Sequence, residues 1–166
     1  KRIVFFDTLV DRLQPQEIEA VLAHELGHFK LKHIAKRMAV SFVASLVFLV
    51  LLGFLAEQSW FYIGLGVTPS LSGGNEGIAL VLFMLVLPVF TFLSAPVASH
   101  LSRRHEFEAD AFAARHASAQ DLVSALVKLY EDNASTLTPD PIHSAFYDSH
   151  PPASLRVQRL VAAVQA

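Results

Sequence analysis

Two long uncharged stretches dominate the pattern of apolar and polar positions along the chain. Residues 38–56 give 19 positions without a formal charge, and residues 77–99 give 23 more. About 20 apolar residues in helical conformation span the hydrocarbon core of a bilayer. The alternative is a pair of buried helices in a large soluble protein, but 166 residues cannot bury two such helices on all sides. The pattern therefore predicts a membrane hairpin, with Pro88 and Pro96 kinking its second helix.

Basic residues flank only the outer ends of this hairpin, and the connecting loop at residues 57–76 has neither Lys nor Arg. The flanking residues are Lys30, Lys32, Lys36 and Arg37 before the first span and Arg103 and Arg104 after the second. The positive-inside rule then predicts a multi-pass protein with both ends of the hairpin on the cytoplasmic side. That membrane would be the inner membrane of a bacterium or the endoplasmic reticulum of a eukaryote, and the loop would face the periplasm or lumen.

The remaining segments have the patterns expected of short strands, helices and loops. Residues 2–6 are rich in β-formers and predict a short strand. That strand is either an ordinary structural strand or an edge that pairs with an extended substrate, and the sequence leaves both open. Pro15 predicts a helix start, and Ser118 begins a sequence like a capping box before an amphipathic helix. Residues 132–141 predict a loop, His150 belongs to a second loop, and residues 153–164 predict the last helix.

The first soluble helix carries the sequence H-E-L-G-H, from His24 through Glu25 to His28. Residues four apart lie on one face of a helix, so two imidazoles can bind one metal ion from the same side. In the H-E-x-x-H pattern the glutamate is the general base that acts on a water molecule. Gly27 costs about 1 kcal/mol relative to Ala inside a helix. We therefore expect a close neighbour there, namely the helix that carries the third ligand.

A zinc peptidase site needs three protein ligands and one open position, and Glu106 is our predicted third ligand. Asp110 lies four residues later on the same helical face and suits an acid that orients a ligating histidine. Glu108 projects to another face and is predicted to be structural or solvated. The alternative for Glu106 is a surface carboxylate paired with Arg103 or Arg104. The prediction is one Zn²⁺ per chain, bound by His24, His28 and Glu106.

Composition narrows the function classes. The apolar fraction is 53%, and the mean hydropathy of +0.44 is high for a soluble domain. The net charge of −2 argues against nucleic acid as a partner. The absence of cysteine excludes a disulfide scaffold, thiolate zinc ligands and a cysteine nucleophile. The chain begins at Lys1 without Met, so we expect a fragment of a longer protein or a processed form.

Two further residues are candidates for catalytic support. His150 precedes two prolines that fix the backbone, and it can donate a hydrogen bond to the oxyanion of a tetrahedral intermediate. Arg156 can neutralise an active-site carboxylate such as Asp110. The residues alone leave either role open. His143 is ambiguous, and the histidines without ligand spacing are expected to be interfacial or solvated: His33, His100, His105 and His116.

Four motifs together resemble the type I CAAX prenyl protease family of integral-membrane zinc metallopeptidases. In chain order they are F-F-D-T-L, A-V-L-A-H-E-L-G-H, S-R-R-H-E-F-E-A-D-A-F-A and S-H-P-P-A-S-L-R. The first zinc motif is shared by many clans, and the E-F-x-A-D block narrows the match to a wider family that includes heat-shock-type membrane proteases. The S-H-P-P block and its downstream arginine favour the CAAX branch. A two-span hairpin separates the motifs as in that family.

The resemblance implies a mainly α membrane protein, with a zincin-like helical catalytic core and a short β-strand interrupted by a two-helix transmembrane hairpin. One catalytic unit would be divided into residues 1–37, 38–56, 57–76, 77–99 and 100–166. It implies that His24, His28 and Glu106 bind zinc and that Glu25 activates water. It also implies supporting roles for Asp110, His150 and Arg156.

The implied partners are a peptide or protein substrate, the lipid bilayer, and earlier transmembrane helices that this chain lacks. If the chain belongs to the CAAX branch, the substrate carries a prenyl group. The chain would hold only the last two spans of the family's helical chamber. Two alternatives remain: a quality-control protease of the same clan, and a non-catalytic membrane scaffold stabilised by zinc. The intact Glu25 argues against the scaffold, because a purely structural site needs no base.

Overall fold

The structure, a computed structural model, describes residues 7–132 and 139–164, and all regular elements in those ranges are helices. The helices are α1 (Asp7–Arg12), α2 (Pro15–Lys30), α3 (His33–Ala56), α4 (Ser59–Gly64), α5 (Glu76–His116), α6 (Ala119–Asp132), α7 (Pro141–Tyr147) and α8 (Ala153–Val164). The predicted mainly α class is confirmed. The strand predicted at residues 2–6 lies outside the described residues.

Local sequence explains where the helices outside the two apolar stretches begin. Pro15 occupies the first turn of α2, as predicted, and the Gln14 backbone N–H donates to the Glu17 carboxylate at 2.7 Å. The Ser118 hydroxyl accepts from the Asp121 backbone N–H at 3.2 Å, which gives α6 the predicted cap. The last helix, α8, has the predicted bounds.

The described residues form two compact units, and the first contains residues 7–34, 95–132 and 139–164. Its core is a cluster of small and branched apolar side chains from α2, α5, α6 and α8. The buried members are Ala20, Ala23, Ala113, Ala119, Leu122, Leu126 and Leu160. Alanines at the helix contacts let the backbones of α2 and α5 approach closely, which matters for the site described below.

The second unit contains Ala35–Ser94. Its buried cluster joins Phe61 and Tyr62 of α4 to Ala79 and Phe83 of α5. The Tyr62 hydroxyl donates to the Ala56 carbonyl at 2.7 Å and so fixes the end of α3. Residues 57–76 were predicted as a loop, but they include the short helix α4.

Two helices are long and apolar enough to cross a membrane, as the charge pattern predicted. They are α3 and α5, and within their most apolar windows 0% and 11% of the residues are buried. A core helix of a soluble protein would be mostly buried. The exposed side chains of α3 include Phe42, Leu46 and Leu49, which is the composition expected of a surface in contact with lipid.

Three further helices differ from the predictions. Helix α3 begins at His33, five residues before the uncharged stretch. Helix α5 runs through Pro88, Pro96 and Ser99 to His116, whereas two separate helical segments were predicted. A change from apolar to charged residues alters the preferred surroundings of a helix without ending it. Helix α7 was not predicted; Asp140 caps it by accepting from the backbone of its first turn at 2.9 Å.

Candidate metal centre

Helix α2 presents two imidazoles to one point in the first unit. The Nε2 atoms of His24 and His28 lie 3.1 Å apart, and their rings are inclined at 75°. His24 is 8% exposed, so its ring is nearly enclosed. The spacing of four residues therefore brings the two imidazoles together on one face of α2, as the sequence predicted.

Helix α5 reaches this point because Gly27 has no side chain. A Cβ at Gly27 would lie 3.2 Å from the Ala109 Cα and 3.1 Å from the Phe112 Cβ, inside ordinary van der Waals separation. The close neighbour predicted for Gly27 is thus confirmed, and it is the helix that carries Glu106. Ala109 and Glu106 lie one turn apart on α5, so the contact at Gly27 sets the depth of the Glu106 carboxylate.

The Glu106 carboxylate completes a cluster of three ligand atoms. One oxygen lies 3.4 Å from His28 Nε2, and the other lies 3.7 Å from His24 Nε2. All three ligand atoms lie within 4.8 Å of one another. Atoms bound at about 2.0–2.1 Å to one tetrahedral ion lie roughly 3.3–3.4 Å apart. Two imidazoles and one carboxylate therefore have both the chemistry and the spacing that a zinc ion requires.

Glu25 follows His24 on α2, and its side chain is exposed. Within the part of the chain that the structure describes, its carboxylate makes no hydrogen bond or ion pair. The Glu25 carboxylate is therefore not committed to another protein group. That availability is what a proton acceptor for an attacking water molecule needs.

Asp110 and Arg156 support His24 from behind. The Asp110 carboxylate lies 2.9 Å from His24 Nδ1, although the ring N–H is not aligned with that oxygen as a hydrogen bond. Arg156 donates to both Asp110 oxygens, at 2.6 and 2.8 Å. Both side chains are buried. Burial by itself would lower the pKa of the Arg156 guanidinium, but the Asp110 bonds and the Glu106 charge raise it above its usual value.

His150 lies at the open side of the cluster. Its Nδ1 is 3.2 Å from a Glu106 oxygen, and its side chain is 64% exposed. An Arg156 nitrogen lies 3.6 Å from the same oxygen. The structure therefore brings six of the predicted site residues into mutual contact, and the seventh, Glu25, follows His24 on α2. The six are His24, His28, Glu106, Asp110, His150 and Arg156.

The segment that carries His150 is held by residues that the sequence reasoning missed. Arg103 donates to the Ser144 and Asp148 carbonyls at 2.8 and 3.0 Å. The Tyr130 hydroxyl donates to the carbonyl of buried Pro151 at 3.2 Å. These bonds join positions 21 to 45 residues apart, and no local pattern marks them.

The prediction for His33 was partly wrong. His33 is 4% exposed, so it is not solvated. It contacts His28 and Glu108, and it stacks on His105. Glu108 also pairs with Arg104 at 2.9 Å, which agrees with the structural role predicted for it.

His100 and His116 lie outside the cluster, as expected, and so does His143, for which the sequence left the role open. His100, His116 and His143 are exposed. His116 contacts the Phe112 carbonyl on its own helix, and His143 packs against Tyr147. None of these three belongs to the group of side chains that can hold a metal ion among the described residues.

Comparisons with known proteins identify relatives of this chain. The profile described as "Peptidase family M48" matches residues 1–164. CAAX prenyl protease 1 of Saccharomyces cerevisiae is 35% identical over 96% of this chain and 38% of the relative. The CAAX prenyl protease 1 homolog of Arabidopsis thaliana is 39% identical over 96% of this chain and 37% of the relative.

A solved structure shows the same fold. The crystal structure of S. mikatae Ste24p superposes with a TM-score of 0.82 at 35% identity, covering 96% of this chain and 39% of that one. The chain thus spans less than two fifths of the length of these relatives.

Proposed function

Because this chain belongs to peptidase family M48, we propose that His24, His28 and Glu106 bind one zinc ion and that the full-length protein is a zinc metalloendopeptidase. Family membership implies a metal, generally zinc. The observation that carries the proposal is the convergence of two Nε2 atoms from α2 and a carboxylate from α5 within 4.8 Å. When bound, zinc would supply Lewis-acid polarisation of the scissile carbonyl and would acidify water.

The residues around the cluster have separate roles in the reaction. Glu25 accepts a proton from the attacking water and delivers it to the leaving amine. His150, which is exposed beside Glu106, donates a hydrogen bond to the oxygen on which charge develops. Asp110 and Arg156 fix the ring of His24. These roles suit the positions of the side chains, and each is separately testable.

The test of the mechanism is a Glu25→Gln substitution in the full-length protein. Gln keeps the size of the side chain but cannot accept the proton. We expect zinc content to stay at one ion per chain and peptide cleavage to fall by at least about 100-fold. Retained cleavage would remove Glu25 from the mechanism, and loss of zinc would show that Glu25 has a structural role instead.

The relatives' names indicate the substrate class. Proteins called CAAX prenyl protease 1 match almost the whole of this chain, so we propose a substrate whose C-terminal tripeptide follows a prenylated cysteine. Matched peptides with and without the prenyl group test this point. Preferential cleavage of the prenylated peptide supports it, whereas a preference for unprenylated, misfolded membrane proteins would support the quality-control alternative.

We also propose a place in the membrane. Helices α3 and α5 form the hairpin, and the charges outside it favour a cytoplasmic location for both of its ends. Further transmembrane helices would come from the part of the full-length protein that this chain does not include. Accessibility labelling of single cysteines, placed at residue 66 and at residue 140 of the cysteine-free chain, would test the topology. The first site should be reached only from the lumen or periplasm, and the second only from the cytoplasm.

A further inference from the structure

A series of contacting polar side chains begins at Nδ1 of His28, a candidate metal ligand. His28 Nδ1 is 3.0 Å from His33 Nδ1. The other ring nitrogen of His33 is 3.1 Å from a Glu108 oxygen. The second Glu108 oxygen accepts from Arg104 Nε at 2.9 Å. The series His28, His33, Glu108 and Arg104 therefore runs from the cluster to the surface, where the Arg104 side chain is 70% exposed.

The ring of His33 is fixed in place. It is 4% exposed, and it stacks on the ring of His105 with centroids 4.2 Å apart and planes inclined at 12°. The backbone turns between α2 and α3 at Lys32, which has a φ of 58°. A non-glycine residue in the left-handed region costs roughly 1–2 kcal/mol. This turn folds His33 back onto His28, which lies in the last turn of α2.

The distances allow one arrangement of protons if His28 uses Nε2 for the metal. Its Nδ1 must then carry the hydrogen and donate to His33 Nδ1. His33 accepts there, so its own hydrogen is on Nε2 and is donated to Glu108. Every nitrogen in the pair is satisfied, and the tautomer of His28 is the one that directs a lone pair at the cluster.

We propose that His33, oriented by Glu108, is a positioning residue that fixes the tautomer and ring orientation of the metal ligand His28. The two ligands are then supported in different ways: Asp110 contacts His24 directly, whereas a carboxylate reaches His28 through an intervening imidazole. This inference rests on the proposed zinc site. Partners of this kind typically change metal affinity by 10- to 100-fold.

The test uses the full-length protein and competition with a chelator to measure zinc affinity. His33→Phe keeps an aromatic ring over His105 but removes the acceptor for His28. We expect its zinc affinity to fall 10- to 100-fold. His33→Gln restores an amide that can accept and donate, and it should recover part of the affinity. The matched control is His143→Phe, an exposed histidine outside the cluster, which should bind zinc like the unmodified protein.

A cobalt-substituted protein gives a readout that a merely structural role would not change. Reorientation of the His28 ring should shift the visible d–d absorption of His33→Phe but not that of His143→Phe. Zinc affinity within twofold of the unmodified protein, together with an unchanged cobalt spectrum, would overturn the inference. Failure of the unmodified protein to bind zinc would instead overturn the proposed function.

A second variant keeps the test decisive if His33→Phe does not fold. Glu108→Ala removes the acceptor that orients His33, and the Glu108 side chain is already 34% exposed. We expect a loss of zinc affinity in the same direction, of about three- to tenfold. Unchanged affinity in Glu108→Ala would contradict the proposed orientation of His33.

Discussion

The contact at Gly27 allows a prediction that separates helix stability from the geometry of the metal site. Gly27→Ala adds a methyl group 3.2 Å from the Ala109 Cα, 3.1 Å from the Phe112 Cβ and 3.2 Å from the Phe112 Cδ1. Carbon atoms at optimal separation lie about 3.5–4.0 Å apart, so α5 must move by a few tenths of an ångström. The Ala109 Cα is a backbone atom and the Phe112 Cβ is bonded directly to the backbone, so neither atom can rotate away.

Two opposing terms set the expected change in the free energy of unfolding. Alanine gains about 1 kcal/mol of helix propensity over glycine, and overpacking costs about 1–3 kcal/mol. The net destabilisation is therefore between zero and about 2 kcal/mol. The metal site should suffer more, because metal–ligand distances tolerate only about 0.2 Å and Glu106 moves with Ala109. We expect zinc affinity to fall about tenfold.

The assay is chelator competition for zinc combined with thermal unfolding of the full-length protein. Gly53→Ala in α3 is the matched control, because a Cβ there would meet nothing within 4 Å. That variant should bind zinc normally and be at least as stable as the unmodified protein. If Gly27→Ala also binds zinc normally and is equally stable, the contact between α2 and α5 does not set the position of Glu106.

Three other perturbations follow from the buried charges and from His150. The pKa of Glu17 is lowered to about 2, mainly by its hydrogen bond with Lys128. The Glu17 carboxylate therefore stabilises the fold above its unfolded pKa of about 4.5. This stabilisation is lost as the pH falls from about 4.5 to 2. Thermal unfolding against pH should show an advantage over Glu17→Gln of about 1–3 kcal/mol at pH 7 that disappears by about pH 2. Arg156→Met leaves the Asp110 carboxylate buried without its partner and should lower the free energy of unfolding by about 3–5 kcal/mol in a denaturant titration. His150→Gln should lower kcat by about 100- to 1,000-fold at unchanged zinc content, measured with a peptide substrate and metal analysis.

Each of these three expectations has an outcome that contradicts it. A constant difference between Glu17→Gln and the unmodified protein from pH 7 to pH 2 would show that the Glu17 charge does not stabilise the fold. Arg156→Met with unchanged stability would mean that Asp110 does not depend on the guanidinium. A fall in zinc content in His150→Gln would place His150 in metal binding rather than in support of the transition state.

The parts of the site that the sequence predicted depend on local spacing. His24 and His28 converge because they are four residues apart on one helix, and Asp110 follows Glu106 by the same spacing. Gly27 predicted a close neighbour, because alanine at that position would make the helix more stable unless a neighbouring helix needs the space. These inferences needed only the geometry of a single helix and the requirements of zinc.

The parts that were missed depend on contacts between distant elements or on an uncommon backbone conformation. His33 is five residues from His28, a spacing that does not bring side chains together on a continuous helix. It reaches His28 only because Lys32 adopts a left-handed φ of 58° between two helices. Arg103 fixes the His150 segment through carbonyls 41 and 45 residues away, and any residue can supply a carbonyl.

The continuity of α5 was missed for a different reason. The charged residues after Ser99 predict where a bilayer-spanning stretch ends, but a change from apolar to charged residues does not predict the end of a helix. Helix α5 continues to His116, and its charged half packs in the first unit while the side chains of its apolar half remain mostly exposed. The short helices α4 and α7 have too few residues to show a helical period.

The central claim is that two imidazoles of α2 and one carboxylate of α5 bind a single zinc ion. The most direct test is an anomalous difference map at the zinc edge from crystals of the full-length protein. The account predicts one peak, about 2.0–2.2 Å from His24 Nε2, His28 Nε2 and a Glu106 oxygen. A zinc peak elsewhere, or a Glu106 carboxylate beyond bonding distance of the ion, would contradict it.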